Sequence, residues 1–93
     1  MREKTLEALL VQAAKSMGGL APKFVSPGFD GMPDRIVLLP HSKMAFVEVK
    51  AHGKKPRPLQ VRRKSQLESL GFSVYCLDDA AQIGGMLDEI QSV

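Results

Sequence analysis

The stretch from Gly31 to Lys50 limits this chain more than any other. Two β-prone apolar runs, Arg35 to Leu39 and Met44 to Ala51, flank the turn-like Pro40-His41-Ser42-Lys43, which predicts a hairpin. Asp34 stands just before the first run, and Glu48-Val49-Lys50 lies on the second. Side chains alternate across a strand, so Glu48 and Lys50 share one face while Val47 and Val49 share the other. Paired strands bring Asp34 toward Glu48 and Lys50. Two carboxylates beside an ammonium make a divalent-metal site suited to phosphodiester hydrolysis.

The charge distribution points the same way. Seven of the 13 Lys and Arg residues fall between Lys50 and Lys64, with no acid between Glu48 and Glu68. Such a stripe is the electrostatic footprint of a polyanion partner. Standing alone it is equally well a solvated loop and helix face. Its adjacency to the carboxylates favours the first reading, with Lys54, Lys55, Arg57, Arg62, Arg63 and Lys64 as nucleic-acid contacts. At 93 residues the expectation is a single domain, 1–93, with a modest core. No apolar run approaches the ~20 residues of a membrane span, and charged residues interrupt the N-terminus where a signal peptide needs an apolar centre. A lone Cys76 allows no intrachain disulfide, which predicts an intracellular protein.

The remaining elements follow from periodicity. Leu6, Leu9, Leu10, Ala13, Ala14 and Met17 predict a helix over 3–17, stopped by Gly18-Gly19. Glu3 and Glu7 lie one turn apart on it, either as site carboxylates or as surface acids at a helix start. The Pro- and Gly-rich segment 21–33 is a turn-rich connection with a short strand, if any, at Lys23 to Val25. A helix is predicted from Leu59 to Leu70, with Pro58 in its first turn, Gln60 near the basic loop, and a thin apolar stripe of Leu59, Val61, Leu67 and Leu70. Phe72 to Leu77 alternates as a third strand, with Cys76 expected in the core. Asp78 is the expected cap of a last helix, Asp79 to Gln91, with Ile83, Met86, Leu87 and Ile90 as its buried stripe and Gly84-Gly85 as its weak point. His41 and His52 have no second histidine or cysteine at metal spacing, and both are expected in loops.

Taken together, the helix glutamate, Gly31-Met32-Pro33-Asp34-Arg35, Phe46-Val47-Glu48-Val49-Lys50 and Gln60 resemble the VRR-NUC family of the PD-(D/E)XK nuclease superfamily, in its short stand-alone form. The resemblance runs from Glu7 to Leu77. It implies an α/β, restriction-endonuclease-like core: a mixed sheet of three to four strands in the order α-β-β-β-α-β-α, with the first strand short or absent. It implies Asp34, Glu48 and the Val49 carbonyl as ligands of Mg²⁺ or Mn²⁺, with Glu7 completing or supporting the site. Lys50 would orient or deprotonate water, and Gln60 would position groups around it. An all-oxygen donor set suits these hard cations and argues against zinc.

The activity implied is metal-dependent endonucleolytic cleavage of branched DNA, four-way junctions included, by a homodimer in the cytoplasm of a host cell if the protein is viral. No membrane and no small-molecule cofactor are expected. The alternatives are a non-catalytic DNA-binding module, or a nuclease that nicks other DNA or RNA structures.

Overall fold

Leu6, Leu10 and Ala14, all without exposed surface, draw the N-terminal segment into a helix whose apolar stripe faces inward. A computed structural model describes Met1–Val93. That first helix is α1 (Glu3–Ser16), followed by β1 (Arg35–Leu39), β2 (Lys43–Val49), α2 (Pro58–Ser69), β3 (Val74–Leu77) and, after a short 3-10 turn at Ala80–Gln82, α3 (Ile83–Ser92). The sheet is mixed, in the order β1-β2-β3, with β1 antiparallel and β3 parallel to β2. The hairpin turn uses His41 and Ser42 at φ 66° and 61°. The parallel β2–β3 pair needs a crossover, which α2 supplies.

The pleat sorts the sheet into two unlike faces. Arg35, Val37 and Leu39 align with Val47, Ala45 and Lys43 across the antiparallel ladder, and Val47 and Val49 align with Tyr75 and Leu77 across the parallel one. This face packs on α1 and α3, whose Ile83, Met86, Leu87 and Ile90 are all buried, as their spacing predicts. Each such side chain contributes roughly 1.5–3 kcal/mol by leaving water. The opposite face carries Ile36, Leu38, Phe46, Glu48, Val74 and Cys76, and α2 crosses only part of it. Phe46 stacks edge-on with Phe24 and Phe72 there, at ring distances of 5.7 and 5.9 Å.

Several boundaries and one face differ from expectation. No named strand forms at Lys23 to Val25. Instead Leu20 and Lys23 bridge to Leu38 and Arg35, so the pairing starts earlier and partly covers the β1 edge. β1 leaves one face open despite its apolar run, since Leu38 is exposed. Cys76 is exposed and not in the core, because β3 turns Tyr75 and Leu77 inward. The apolar stripe expected on α2 is not buried: the helix buries no residue fully, and Val61 and Leu70 are 51% and 73% exposed. The cap before α3 is Asp79, whose carboxylate accepts from the Ala81 N–H, while the Asp78 carboxylate accepts from the Gln82 side chain. Gly84 and Gly85 face open space and fit no close-packed partner.

Candidate active site

The hairpin register builds the centre of the site. Arg35 is opposite Val47, so one further step along the antiparallel ladder sets Asp34 opposite Glu48 on the face away from α1. The Asp34 Oδ1 accepts the Val49 N–H at 3.1 Å, which fixes the carboxylate across the mouth of the two strands. The Glu48 Oε2 accepts from the Gln60 amide at 2.6 Å and faces the Lys50 ammonium at 3.4 Å. Gln60 is itself anchored, because its Oε1 accepts the Arg57 N–H at 2.8 Å and closes the first turn of α2. The helix start therefore dictates where the Glu48 carboxylate points.

The other oxygen of that carboxylate has no partner. Glu48 is only 7% exposed, and its Oε1 is buried without a hydrogen bond. Leaving a buried charged oxygen unpaired costs on the order of 1–3 kcal/mol, so such atoms call for a specific explanation. Burial pushes the Glu48 carboxyl above its usual range, and nearby Asp34 pushes it further, against Lys50 and Gln60. Asp34 is raised mainly by burial as well, with the Val49 N–H opposing and Glu7 adding. Two desolvated carboxylates, Asp34 raising Glu48 and Glu48 holding a buried oxygen without a donor, fit a hard divalent cation.

Glu7 does not share that arrangement. Its Oε1 accepts from the Arg35 Nε at 2.9 Å, and Arg35 also donates to the Ala21 carbonyl at 2.8 Å. No group of three acidic, histidine or cysteine side chains converges to hold a metal. Glu7 rather than Glu3 is the helix carboxylate with the greater effect on Asp34, and it acts from behind an arginine. Arg35 has a role the sequence reading missed. The signal was available: Arg35 shares the parity of Val37 and Leu39, and a charge on a core-facing position needs a partner.

The six expected phosphate contacts divide into two groups. Lys54, Lys55 and Arg57 lie exposed on the loop before α2, and Arg62 is exposed on the helix. Lys64 pairs with Glu68 at 3.1 Å and also lines a narrow cavity with Glu48, Gln60 and Cys76. Arg63 is half-buried and folds back on the protein surface, donating to the Asp30 carbonyl at 2.8 Å and to Gln66 at 2.9 Å, with its guanidinium 3.8 Å above the centre of the Phe29 ring. His41 sits in the hairpin turn, and His52 lies in a loop 3.8 Å from Asp79. Cys76 pairs in register with Glu48, and burial together with the Asp78 and Glu48 charges holds its thiol above the usual range. No helix is long and apolar enough to cross a membrane.

The sequence matches no protein-family model. A protein of Acyrthosiphon pisum secondary endosymbiont phage 1, named "Putative nuclease p44", is 50% identical over 78 residues, spanning 84% of this chain and 84% of that protein. A solved structure described as a "VRR_NUC domain" superposes with a TM-score of 0.87 at 27% identity, covering 95% of this chain and 97% of that one. Three helices around a small mixed sheet, with an acid opposite a Glu-x-Lys strand end, are consistent with a PD-(D/E)XK-like core. On these likenesses, the chain belongs to the VRR-NUC family of nucleases.

Proposed function

We propose that this nuclease is a Mg²⁺- or Mn²⁺-dependent endodeoxyribonuclease that hydrolyses phosphodiester bonds in branched DNA, four-way junctions above all, and acts as a homodimer. The observation that carries the metal-dependent reading is the unpartnered Glu48 Oε1, buried beside a second carboxylate. Asp34 and Glu48 would hold the cation together with the Val49 backbone carbonyl. When bound, the cation lowers the pKa of water and offsets charge on the scissile phosphate.

The protein's own groups do the rest. Gln60 holds the Glu48 carboxylate in one rotamer, so the free oxygen keeps its aim. The Val49 N–H does the same for Asp34. Lys50 sets an ammonium beside Glu48, where it orients the attacking water and stabilises negative charge as it grows on the phosphate. Glu7 supports the site through Arg35, which ties α1 to the start of β1. Lys54, Lys55, Arg57 and Arg62 hold the DNA backbone, a contact that fixes register and reads no base sequence. One site cuts one strand, and paired cuts across a symmetric junction need two sites related by a two-fold axis, which a closed dimer supplies.

The test uses labelled four-way junction, flap and duplex substrates, with Mg²⁺ and with chelator. The expected result is junction cleavage that disappears in chelator and weakens as salt rises, because binding releases counterions. Asp34→Ala should keep junction binding and lose cleavage. A parent protein that binds DNA and never cuts it is a binding module, and cleavage that survives chelation rejects the mechanism.

A further inference from the structure

Two segments must keep their relative position for the site to hold its shape. Segment 26–33 delivers Asp34, and α2 delivers Gln60, which holds Glu48. They are far apart in sequence and belong to no common sheet. Arg63 joins them. Its Nε donates to the Asp30 carbonyl at 2.8 Å, and its guanidinium lies 3.8 Å over the Phe29 ring. Its other arm donates to Gln66, one helical turn further on, which fixes the direction of the side chain. The backbone comes close at the same place. Gly31 has a φ of +87°, and a Cβ there would stand 2.7 Å from Leu59 Cγ and 3.0 Å from the Leu59 carbonyl. Glycine therefore permits both the turn and the contact, and Arg63 closes it from the outer side.

We infer that Arg63 is a positioning residue, a latch that docks segment 26–33 onto α2 and so fixes the Asp34 side of the site relative to the Gln60–Glu48 side. It is not one of the phosphate contacts. α2 is otherwise lightly held: it buries no residue fully, packs against β3, and meets the site through the Gln60–Glu48 bond and the close Gly31–Leu59 approach. A guanidinium does what an ammonium cannot here, because a planar fork stacks on an aromatic ring while donating in its own plane.

The consequence for catalysis rests on the proposed nuclease reading, so the test has one readout that depends on it and one that does not. Hydrogen exchange at the Phe29 amide, whose bond to the Ser26 carbonyl closes the turn that carries the ring, reports how firmly the segment is held. Arg63→Ala and Arg63→Lys should each speed that exchange. In junction cleavage, Arg63→Ala and Arg63→Lys should lower kcat by about tenfold to a hundredfold through misplaced groups. DNA affinity and its salt dependence should stay at the parent values.

Arg62→Ala is the contrast, with weaker binding and a salt slope reduced by about one, while exchange at the Phe29 amide stays at the parent rate. The latch is overturned if Arg63→Lys matches the parent in exchange. It is also overturned if Arg63→Ala flattens the salt slope and leaves exchange unmoved, which is how a phosphate contact behaves. A parent protein without metal-dependent cleavage defeats the nuclease reading alone, and exchange at Phe29 then decides the latch.

Discussion

Glu48 bears an uncompensated electrostatic cost in the site, and that cost has measurable consequences at the level of single residues. Its buried Oε1 has no donor, and burial with Asp34 nearby raises its carboxyl pKa. Asp34 is raised too, so between the ordinary carboxylate range and the raised values the folded protein binds more protons than the unfolded chain. Stability contributed by this pair is complete below the ordinary range and is lost as pH rises through the raised values. Thermal melts of the metal-free protein should therefore show a contribution that falls as pH rises above the ordinary carboxylate range, and Asp34→Asn with Glu48→Gln should remove it. Glu48→Gln alone should raise the Tm at neutral pH by about 4–8 °C, for about 1 kcal/mol gained in a domain this small, while abolishing cleavage. Gln60→Ala should act in the opposite sense. It releases both the Glu48 carboxylate and the Arg57 N–H, costing about 1 kcal/mol and lowering kcat by about tenfold or more, as melts and single-turnover rates would record.

Among the elements, α3 is the one that substitution should improve. Gly84 and Gly85 lie on its outer side, and a Cβ at either position meets open space. Alanine at each should add roughly 0.5–1 kcal/mol by helix propensity, measurable in urea, with cleavage unchanged. β3 makes a different prediction. Its exposed Cys76 should react with a thiol reagent in the folded protein, slowed by the raised thiol pKa, whereas a core cysteine would wait for unfolding. The sequence misleads at that strand for a plain reason: Phe72, Val74 and Cys76 are apolar on one parity, Tyr75 and Leu77 on the other, and period two alone does not say which side meets the core. α1 and α3 were legible because their stripes are wide and their other faces polar. α2 was legible as a helix and not as packing, since Leu59, Val61, Leu67 and Leu70 scatter around it and its outer surface stays open. Within the site, alternation was enough to bring Glu48 and Lys50 to one face. The Arg63 latch and the Arg35–Glu7 pair join residues 33 and 28 positions apart, distances over which periodicity carries no signal.

For the molecule as a whole, the fold is a device for bringing a hairpin end and a helix start together at one edge of a small sheet. The α1 and α3 side supplies the core, and that leaves the other face free to hold charge that a core would exclude. α2 packs on that free side and the exposed basic residues Lys54, Lys55, Arg57 and Arg62 precede or lie on it, so a DNA backbone held by them, as proposed, would come to the two carboxylates from the α2 side. On the proposed reading, such an arrangement would make binding salt-dependent and chemistry metal-dependent, two properties that separate cleanly by experiment. The most direct test is calorimetric titration of Mn²⁺ into the parent protein, Asp34→Ala and Glu48→Gln at neutral pH. Saturable uptake by the parent that vanishes in both variants is the predicted result. A parent that takes up no cation, or variants that take it up unchanged, would contradict a metal centre at Asp34 and Glu48.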